Sequence, residues 1–290
     1  MRYAFYPGCS AKATCPELLQ STYKVADSLG IELPELTSAA CCGGDVMQDQ
    51  NPDLVLALNA RTLAIAEEHK LDILTVCNVC TQRLSRANKE MKSDPDVMAK
   101  ANAVISQVGH TYKGGVNVTH LLWLLVQGEG AEALKKNIRK PLTGLKVAPF
   151  YGCQILRPSQ FLGFEDPSNP SSLETLIRML GAEPVDYDGK DKCCGFMTLT
   201  VEENNSMKLT GRQLGNAKLA GADLVVTPCP LCHLTLDVYQ PEASRARMMD
   251  IDLPVLHLPQ LVGLAMGFSP SELGLGRNVQ SPKKVLAKVR

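Results

Sequence analysis

Ten of the eleven cysteines follow one pattern written twice: Cys9, Cys41-Cys42 and Cys77-x-x-Cys80, then Cys153, Cys193-Cys194 and Cys229-x-x-Cys232. In both copies 34 residues separate the adjacent pair from the Cys-x-x-Cys, and 31 or 39 separate the lone cysteine from the pair. A five-cysteine spacing repeated in this way marks an internal duplication. Each half gathers five thiols for a task that needs soft sulfur ligands.

Three chemistries compete for those thiols. Zinc takes four ligands, and Cys-x-x-Cys is a familiar half-site, but five cysteines per copy leave one thiol over each time. Structural or redox disulfides need an oxidising compartment or a catalytic context. An iron–sulfur cluster usually takes four cysteines, and one of opened or asymmetric iron geometry can use a fifth. The adjacent pair favours the cluster, because consecutive Cα atoms stand about 3.8 Å apart, a spacing suited to ligands of neighbouring irons. Zinc and redox-active disulfides remain open on the residues alone.

Composition bounds the setting. At 290 residues, 45% hydrophobic and 21% charged, the chain can bury a large core without disulfides. Thirty basic and thirty acidic residues leave a formal net charge of zero, which gives no global pull towards nucleic acid or an anionic membrane. Cys9 comes too early for a signal peptide, and the apolar run from His120 to Val126 is far short of a bilayer span, so the expected location is the cytoplasm. There thiols are kept reduced, which weighs against disulfides.

The elements that must position the cysteines also repeat. A short apolar strand runs into each lone cysteine, Arg2 to Tyr6 before Cys9 and Lys146 to Tyr151 before Cys153. Helical segments follow at Glu17 to Leu29 and Ser172 to Leu180, then second strands at Ile31 to Leu36 and Glu183 to Tyr187. After each Cys-Cys-Gly a long helix leads to a third strand, Asp72 to Val76 or Asp223 to Thr227, with the Cys-x-x-Cys just beyond. The alternation predicts an α/β fold of two pseudo-symmetric half-domains with parallel strands and the cysteines at strand carboxyl ends, where open α/β sheets build their sites. The expected division is residues 1–140 and 141–290, with Gly128, Gly130, Pro141 and Gly144 interrupting regular structure near the boundary. The tail beyond Ser269 reads as loosely packed or partner-bound.

Cys9…Cys41-Cys42-Gly43…Cys77-Asn-Val-Cys80, repeated as Cys153…Cys193-Cys194-Gly195…Cys229-Pro-Leu-Cys232, resembles the cysteine-rich CCG domain. Two copies in one chain look like the B subunit of heterodisulfide reductase and its relatives, including the corresponding proteins of sulfur-oxidising complexes and of some fumarate or succinate oxidoreductases. Tyr151-Gly-Cys153, Leu156-Arg-Pro158 and Thr227-Pro-Cys-Pro-Leu-Cys-His233 extend the match, which covers residues 2 to about 260. The resemblance implies two non-cubane [4Fe-4S] clusters, one on the five cysteines of each copy. It further implies cleavage or formation of a disulfide in one-electron steps, with Cys9, Cys42, Cys153 and Cys194 nearest the chemistry. Implied partners are a ferredoxin-like C subunit and a flavin-containing A subunit, since no flavin, Walker or ferredoxin-type motif is present here. A pure electron-transfer protein without its own substrate is the alternative.

The methanogen enzymes carry a proline-containing loop, a glycine-rich loop and a histidine where this chain has Gly43-Gly44-Asp45, Gly195-Phe196-Met197 and Gln154. Phe196, Met197 and Gln154 are therefore expected to set which substrate enters. His233, directly after Cys232, is a candidate donor to cluster sulfur or to a thiolate product, with a packing role as its alternative. Cys15 falls outside the repeat and reads as a buried unliganded thiol. His120 and His257 share a packing role after equivalent strands, and Arg157 is either an anion-binding group or half of a surface ion pair.

Overall fold

The computed structural model describes residues 1–288. Among these residues, the first half builds a parallel sheet from β1 (Ala4–Tyr6), β2 (Ile73–Thr75) and β3 (Val118–His120), in that order. The second half repeats it with β4 (Lys146–Pro149), β5 (Glu183–Pro184), β6 (Leu224–Thr227) and β7 (Val255–His257), ordered β5-β4-β6-β7. The counterpart of β5 in the first half survives as two bridges, Arg2 to Glu32 and Phe5 to Glu35, so the second strands are shorter than their sequence pattern predicts. Proline at positions 34 and 184 explains the shortening, since it brings no N–H to a ladder. The registers superpose as well: Thr75 stands opposite His120, and Thr227 opposite His257. β1, β2 and β6 are buried along their whole length, as strands of a sheet covered on both faces must be.

The helices follow the same duplication. The helices of the first half that have the counterparts given next are α1 (Pro16–Ser28), α2 (Pro52–Glu68), α3 (Asn78–Ser93) and α4 (Leu121–Val126). Their counterparts are α5 (Ser172–Met179), α6 (Glu203–Leu219), α7 (Pro230–Val238) and α8 (Leu258–Ala265). The helix after the last strand of each half packs on the first long helix of the other: α4 on α5, and α8 on α1. One apolar core consequently runs through both halves, joining Leu18 and Val25 to Leu261 and Val262, and Leu122 and Leu125 to Leu173 and Ile177. The segment between the halves, expected to be irregular, contains a helix over Gly128–Asn137 that buries Ala131 and Leu134.

The tail is a clasp rather than a loose end. Leu273 and Leu275 are buried, and the Gln20 side chain of α1 donates to the carbonyls of Ser271 and Glu272, each at 3.0 Å. Farther on, Asn278 donates to the Val255 carbonyl at 2.7 Å, and the Asp237 carboxylate accepts the N–H groups of Val279 at 2.6 Å and Gln280 at 2.9 Å. Two leucines set between turn-forming glycines thus seal the seam of α1 and α8, which corrects the expectation drawn from glycine and proline content alone.

Candidate metal centre

The lone cysteines and the Cys-x-x-Cys groups follow strand ends, whereas the Cys-Cys pairs lie in loops several residues beyond the Glu35 bridge and β5. Cys9 and Cys153 come shortly after β1 and β4, and Cys77 and Cys229 two residues after β2 and β6. Cys77 and Cys229 are also the N-caps of α3 and α7, where the helix dipole favours a thiolate. The two glycines before the lone cysteines, Gly8 (φ 80°) and Gly152 (φ 71°), occupy the left-handed region. A Cβ at Gly8 would lie 2.7 Å from Sγ of Cys80, and one at Gly152 would lie 2.8 Å from Sγ of Cys232.

The Cys-Cys pairs are pinned in matching ways. The Asn59 side chain of α2 donates to the Cys42 carbonyl at 2.9 Å, and Thr210 of α6 donates to that of Cys194 at 2.8 Å. Beyond the second pair, the Gly195 and Phe196 N–H groups point back to Sγ of Cys193 and Cys194 at 3.3 and 3.5 Å. The Gly43 and Gly44 N–H groups serve Cys41 and Cys42 likewise.

In the first half two pairs of sulfurs come close. Cys41 Sγ lies 3.7 Å from Cys9 Sγ, and Cys42 Sγ 3.7 Å from Cys80 Sγ. Their protons are shared along the set: hydrogen bonds from Cys41 and then Cys80 draw Cys42 well below the usual thiol range, while Cys42 and then Cys77 push Cys80 well above it. In the second half Cys153 and Cys194 draw Cys193 down to about 2, and Cys194 is pushed up to about 12, chiefly by Cys193.

The two sets also meet. Cys77 and Cys229 are neighbours across the halves, and the nearness of Cys229 is the main influence pushing Cys77 up. Burial opposes ionisation of Cys229, yet contacts from Cys232 and Cys77 and the N–H groups of Cys232 and Asn78 hold it well below the ordinary thiol value. Asn78 ties the same seam by donating from Nδ2 to the Tyr151 carbonyl at 2.7 Å. The ten expected cysteines thus gather as two neighbouring sets, a sulfur array whose halves adjoin at Cys77 and Cys229. Six are buried, Cys153 and Cys193 are half-buried, and Cys9 and Cys41 are exposed beside a cavity of about 150 Å³ that Tyr6, Lys12 and Ala39 also line.

So many thiols in contact cannot all ionise without cations among them. Ten soft donors, backbone N–H groups aimed at sulfur and glycines that clear room for sulfur fit iron–sulfur chemistry at both sets.

The remaining candidates fall elsewhere. His120 accepts the Leu122 N–H on Nδ1 at 3.0 Å, so its proton sits on Nε2, facing the Pro228 carbonyl at 3.2 Å. His257 Nε2 faces Glu17 Oε1 at 3.1 Å. Burial pushes His120 down to about 4 and His257 to about 3, so both are neutral at pH 7. His233 stacks on His257 at 3.6 Å, its Nε2 3.1 Å from the Val255 carbonyl and 3.2 Å from Asn278. Its partners among the described residues are these packing contacts and include no cysteine thiol. Successive helix residues point about 100° apart, so adjacency to Cys232 carries no promise of a shared direction. Cys15 Sγ is buried within 4.8 Å of the Glu17 carboxylate and a ring nitrogen of His257. Arg157 is committed to Asp191 and to the Pro167 carbonyl. Phe196 and Met197 open the short helix after Cys194, and Gln154 reaches back to Asp45 of the first half at 2.8 Å.

Sequence reasoning missed Asn59, Thr210, Asn78 and the pairing of Gly8 with Gly152. The last had a signal, a glycine directly before both lone cysteines. No helix of the described residues is long and apolar enough to cross a membrane.

Comparison with known proteins agrees with the duplication. The model of the family described as "Cysteine-rich domain", CCG, matches residues 3–85 and again 147–237. The chain is 42% identical over 283 residues to the 8-methylmenaquinol:fumarate reductase membrane anchor subunit of Wolinella succinogenes, covering 98% of both chains. It is 34% identical over 291 residues to the B subunit of the ferredoxin/F420H2-dependent CoB-CoM heterodisulfide reductase of Methanosarcina acetivorans, covering 99% of this chain and 97% of that one. A protein of Archaeoglobus profundus described as like the B subunit of heterodisulfide reductase is 34% identical over 281 residues, covering 94% and 93%. A crystal structure of a hypothetical protein from Helicobacter pylori shares the fold with a TM-score of 0.77 at 15% identity, over 97% of this chain and 52% of that one. With the cysteine pattern, the doubled sheet and the doubled family match in agreement, the chain belongs to the cysteine-rich CCG family, carries its domain twice, and is a homologue of the B subunit of heterodisulfide reductase.

Proposed function

We propose that the chain is an iron–sulfur oxidoreductase subunit that holds two [4Fe-4S] clusters and cleaves or forms a disulfide between its two halves. Cys9, Cys41, Cys42, Cys77 and Cys80 hold one cluster, and Cys153, Cys193, Cys194, Cys229 and Cys232 the other. Five thiols per set, rather than four, support the non-cubane form. The observation that carries the reading is that two five-thiol sets, built alike around Gly8 and Gly152, adjoin across a seam where Asn78, next to Cys77, bonds the Tyr151 carbonyl two residues before Cys153. When bound, each cluster supplies one electron, and a disulfide takes two. The protein's own part is to fix the sulfurs: Asn59 and Thr210 hold the paired cysteines, backbone N–H groups stabilise thiolate charge, and Asn78 locks the halves in register. Of the four cysteines assigned nearest the chemistry, Cys9 is exposed and Cys153 half-buried, while Cys42 and Cys194 are buried behind them. A ferredoxin-like protein and a flavin-containing protein of the same complex supply or accept the electrons, and the complex is cytoplasmic.

The similarity to a fumarate reductase subunit favours a second reading, an electron-transfer protein with no substrate of its own. Anaerobically purified protein, or its complex, separates the two. Under the first reading, small disulfides or thiols change the EPR spectra of the reduced or oxidised protein, and reduced dye drives disulfide cleavage. Unchanged spectra beside rapid electron exchange with a partner protein would leave the second reading in place.

A further inference from the structure

We infer that Arg83 and Gln154 form an anion seat at the junction of the two cysteine sets, temporarily filled by Asp45, and that its true occupant is a carboxylate carried by the substrate. Arg83 lies on α3, three residues after Cys80, and is only 7% exposed. A guanidinium so far from water needs a counter-charge, and its ion-pair partner is the Asp45 carboxylate, three residues after Cys42. The other oxygen of Asp45 accepts from Gln154 Nε2 at 2.8 Å, and Gln154 directly follows Cys153. One carboxylate is thus held between an arginine of the first half and an amide of the second, with cysteine ligands of both sets as chain neighbours.

Two further observations point to a ligand. Nε of Arg83 is buried and has no hydrogen-bond partner, so the fork has a donor unused by Asp45. Carboxylates prefer two parallel bonds from a guanidinium, which the present pairing does not supply. Beside Arg83 lies a cavity of about 270 Å³, whose lining includes Gln48, Val55, Leu56 and Arg86. Val55 is also the side chain against which Gly43 is packed, a Cβ there meeting it at 2.7 Å, so one residue separates the cavity from the Cys42 loop. Asp45 lies in the first turn of a short helix, Gly44–Gln50, entered through Gly43 (φ 89°) and Gly44 (φ 58°), two left-handed glycines at which the backbone has the freedom a shift of Asp45 requires. Of the other cations on the cavity wall, Arg86 is paired with Glu90 and Lys100 with Asp53. The seat selects a disulfide or thiol that bears a carboxylate, and Asp45 keeps it filled until one arrives. This assignment of substrate class rests on the disulfide reading, whereas the seat itself does not.

The test uses anaerobic, cluster-loaded protein and two probes, dithiodipropionate, which carries carboxylates, and the uncharged hydroxyethyl disulfide. Calorimetry reads binding, and dye-linked reduction reads turnover. The expected result is that wild-type protein binds the carboxylated probe about tenfold or more tightly than the uncharged one, in line with a charge-assisted pair. Arg83→Gln should erase that preference, and Asp45→Asn should strengthen carboxylate binding by removing the competitor. Iron content of each variant checks that both cysteine sets remain loaded. Equal binding of the probes by wild type, or weaker carboxylate binding by Asp45→Asn, overturns the proposal even if Arg83→Gln proves unstable. If the binding pattern holds while neither probe is reduced, the seat stands and the disulfide reading falls.

Discussion

Gly8 and Gly152 stand at the same point of the two halves, each one residue before a lone cysteine and each so close to the second cysteine of a Cys-x-x-Cys that a methyl group would collide with its sulfur. Both also have positive φ. Alanine at either site combines backbone strain with overpacking, together about 3 kcal/mol or more. Gly8→Ala should cost the first set its metal and Gly152→Ala the second. Iron and sulfide analysis of each variant checks this, and full metal content in both would remove the steric argument.

Metal content also separates ligands from bystanders. Wild-type protein purified without air should hold about eight irons and eight sulfides per chain, with little zinc. Cys42→Ser or Cys194→Ser should remove about half of the iron, since ligand binding and local folding are one free energy at such a site. Cys15, held with Glu17 and His257 outside the sulfur array, should be replaceable by serine with iron content unchanged. Loss of iron in Cys15→Ser would show that the first ligand set is wrongly drawn.

What the sequence carried was whatever is local or periodic. The five-thiol spacing, the strand before each lone cysteine and the placement of Cys77 and Cys229 at strand ends all follow from short-range patterns, and the structure has them. Contacts between distant segments left no such mark. Asn78 reads as an ordinary first-turn residue until the fold brings Tyr151 to it, and Gln154 reads as a substitution until Asp45 is beside it. The tail was misjudged for the same reason. Its glycines and prolines signal turns, while the partners that order it, Gln20, Asp237 and Val255, lie far back in the chain.

Asn78→Ala tests the seam. The change removes the bond to the Tyr151 carbonyl and leaves that buried acceptor unpaired, which costs about 1 to 3 kcal/mol. The midpoint of denaturant unfolding should fall while the transition stays single, because the bond joins halves that already share a core. A split into two transitions would show that Asn78 alone couples them.

Acid should destabilise the fold through its histidines. Burial holds His120 at about 4 and His257 at about 3, both below their unfolded value near 6.5. The unfolded chain therefore binds more protons between these values, and the stability the neutral rings contribute is complete above pH 6.5 and is lost as pH falls towards 4. Asp237, raised by burial to about 6, opposes this, its contribution being complete below its unfolded value and lost as pH rises through 6. His233, which burial and then His257 hold well below its ordinary value, adds to this, and three histidines against one carboxyl leave a net loss on acidification. Thermal unfolding at pH 7 and pH 5 reads it, and replacing His120 by glutamine should flatten the dependence.

The exchanged helices predict that neither half folds alone. Residues 1–140 taken by themselves would expose Leu18 and Val25, which α8 covers, and Leu122 and Leu125, which α5 covers. At roughly 1.5 to 3 kcal/mol for each such side chain, the lost burial is about 6 to 12 kcal/mol. That equals the whole stability of an ordinary domain, roughly 5 to 15 kcal/mol. The same holds for residues 141–290, whose α5 and α8 would lose α4 and α1. Each half expressed alone should aggregate or remain unfolded, and co-expression of the two should restore soluble, metal-loaded protein. A monomeric first half with a cooperative unfolding transition and its own iron would show that the shared core is dispensable and that each sulfur set is built by its own repeat.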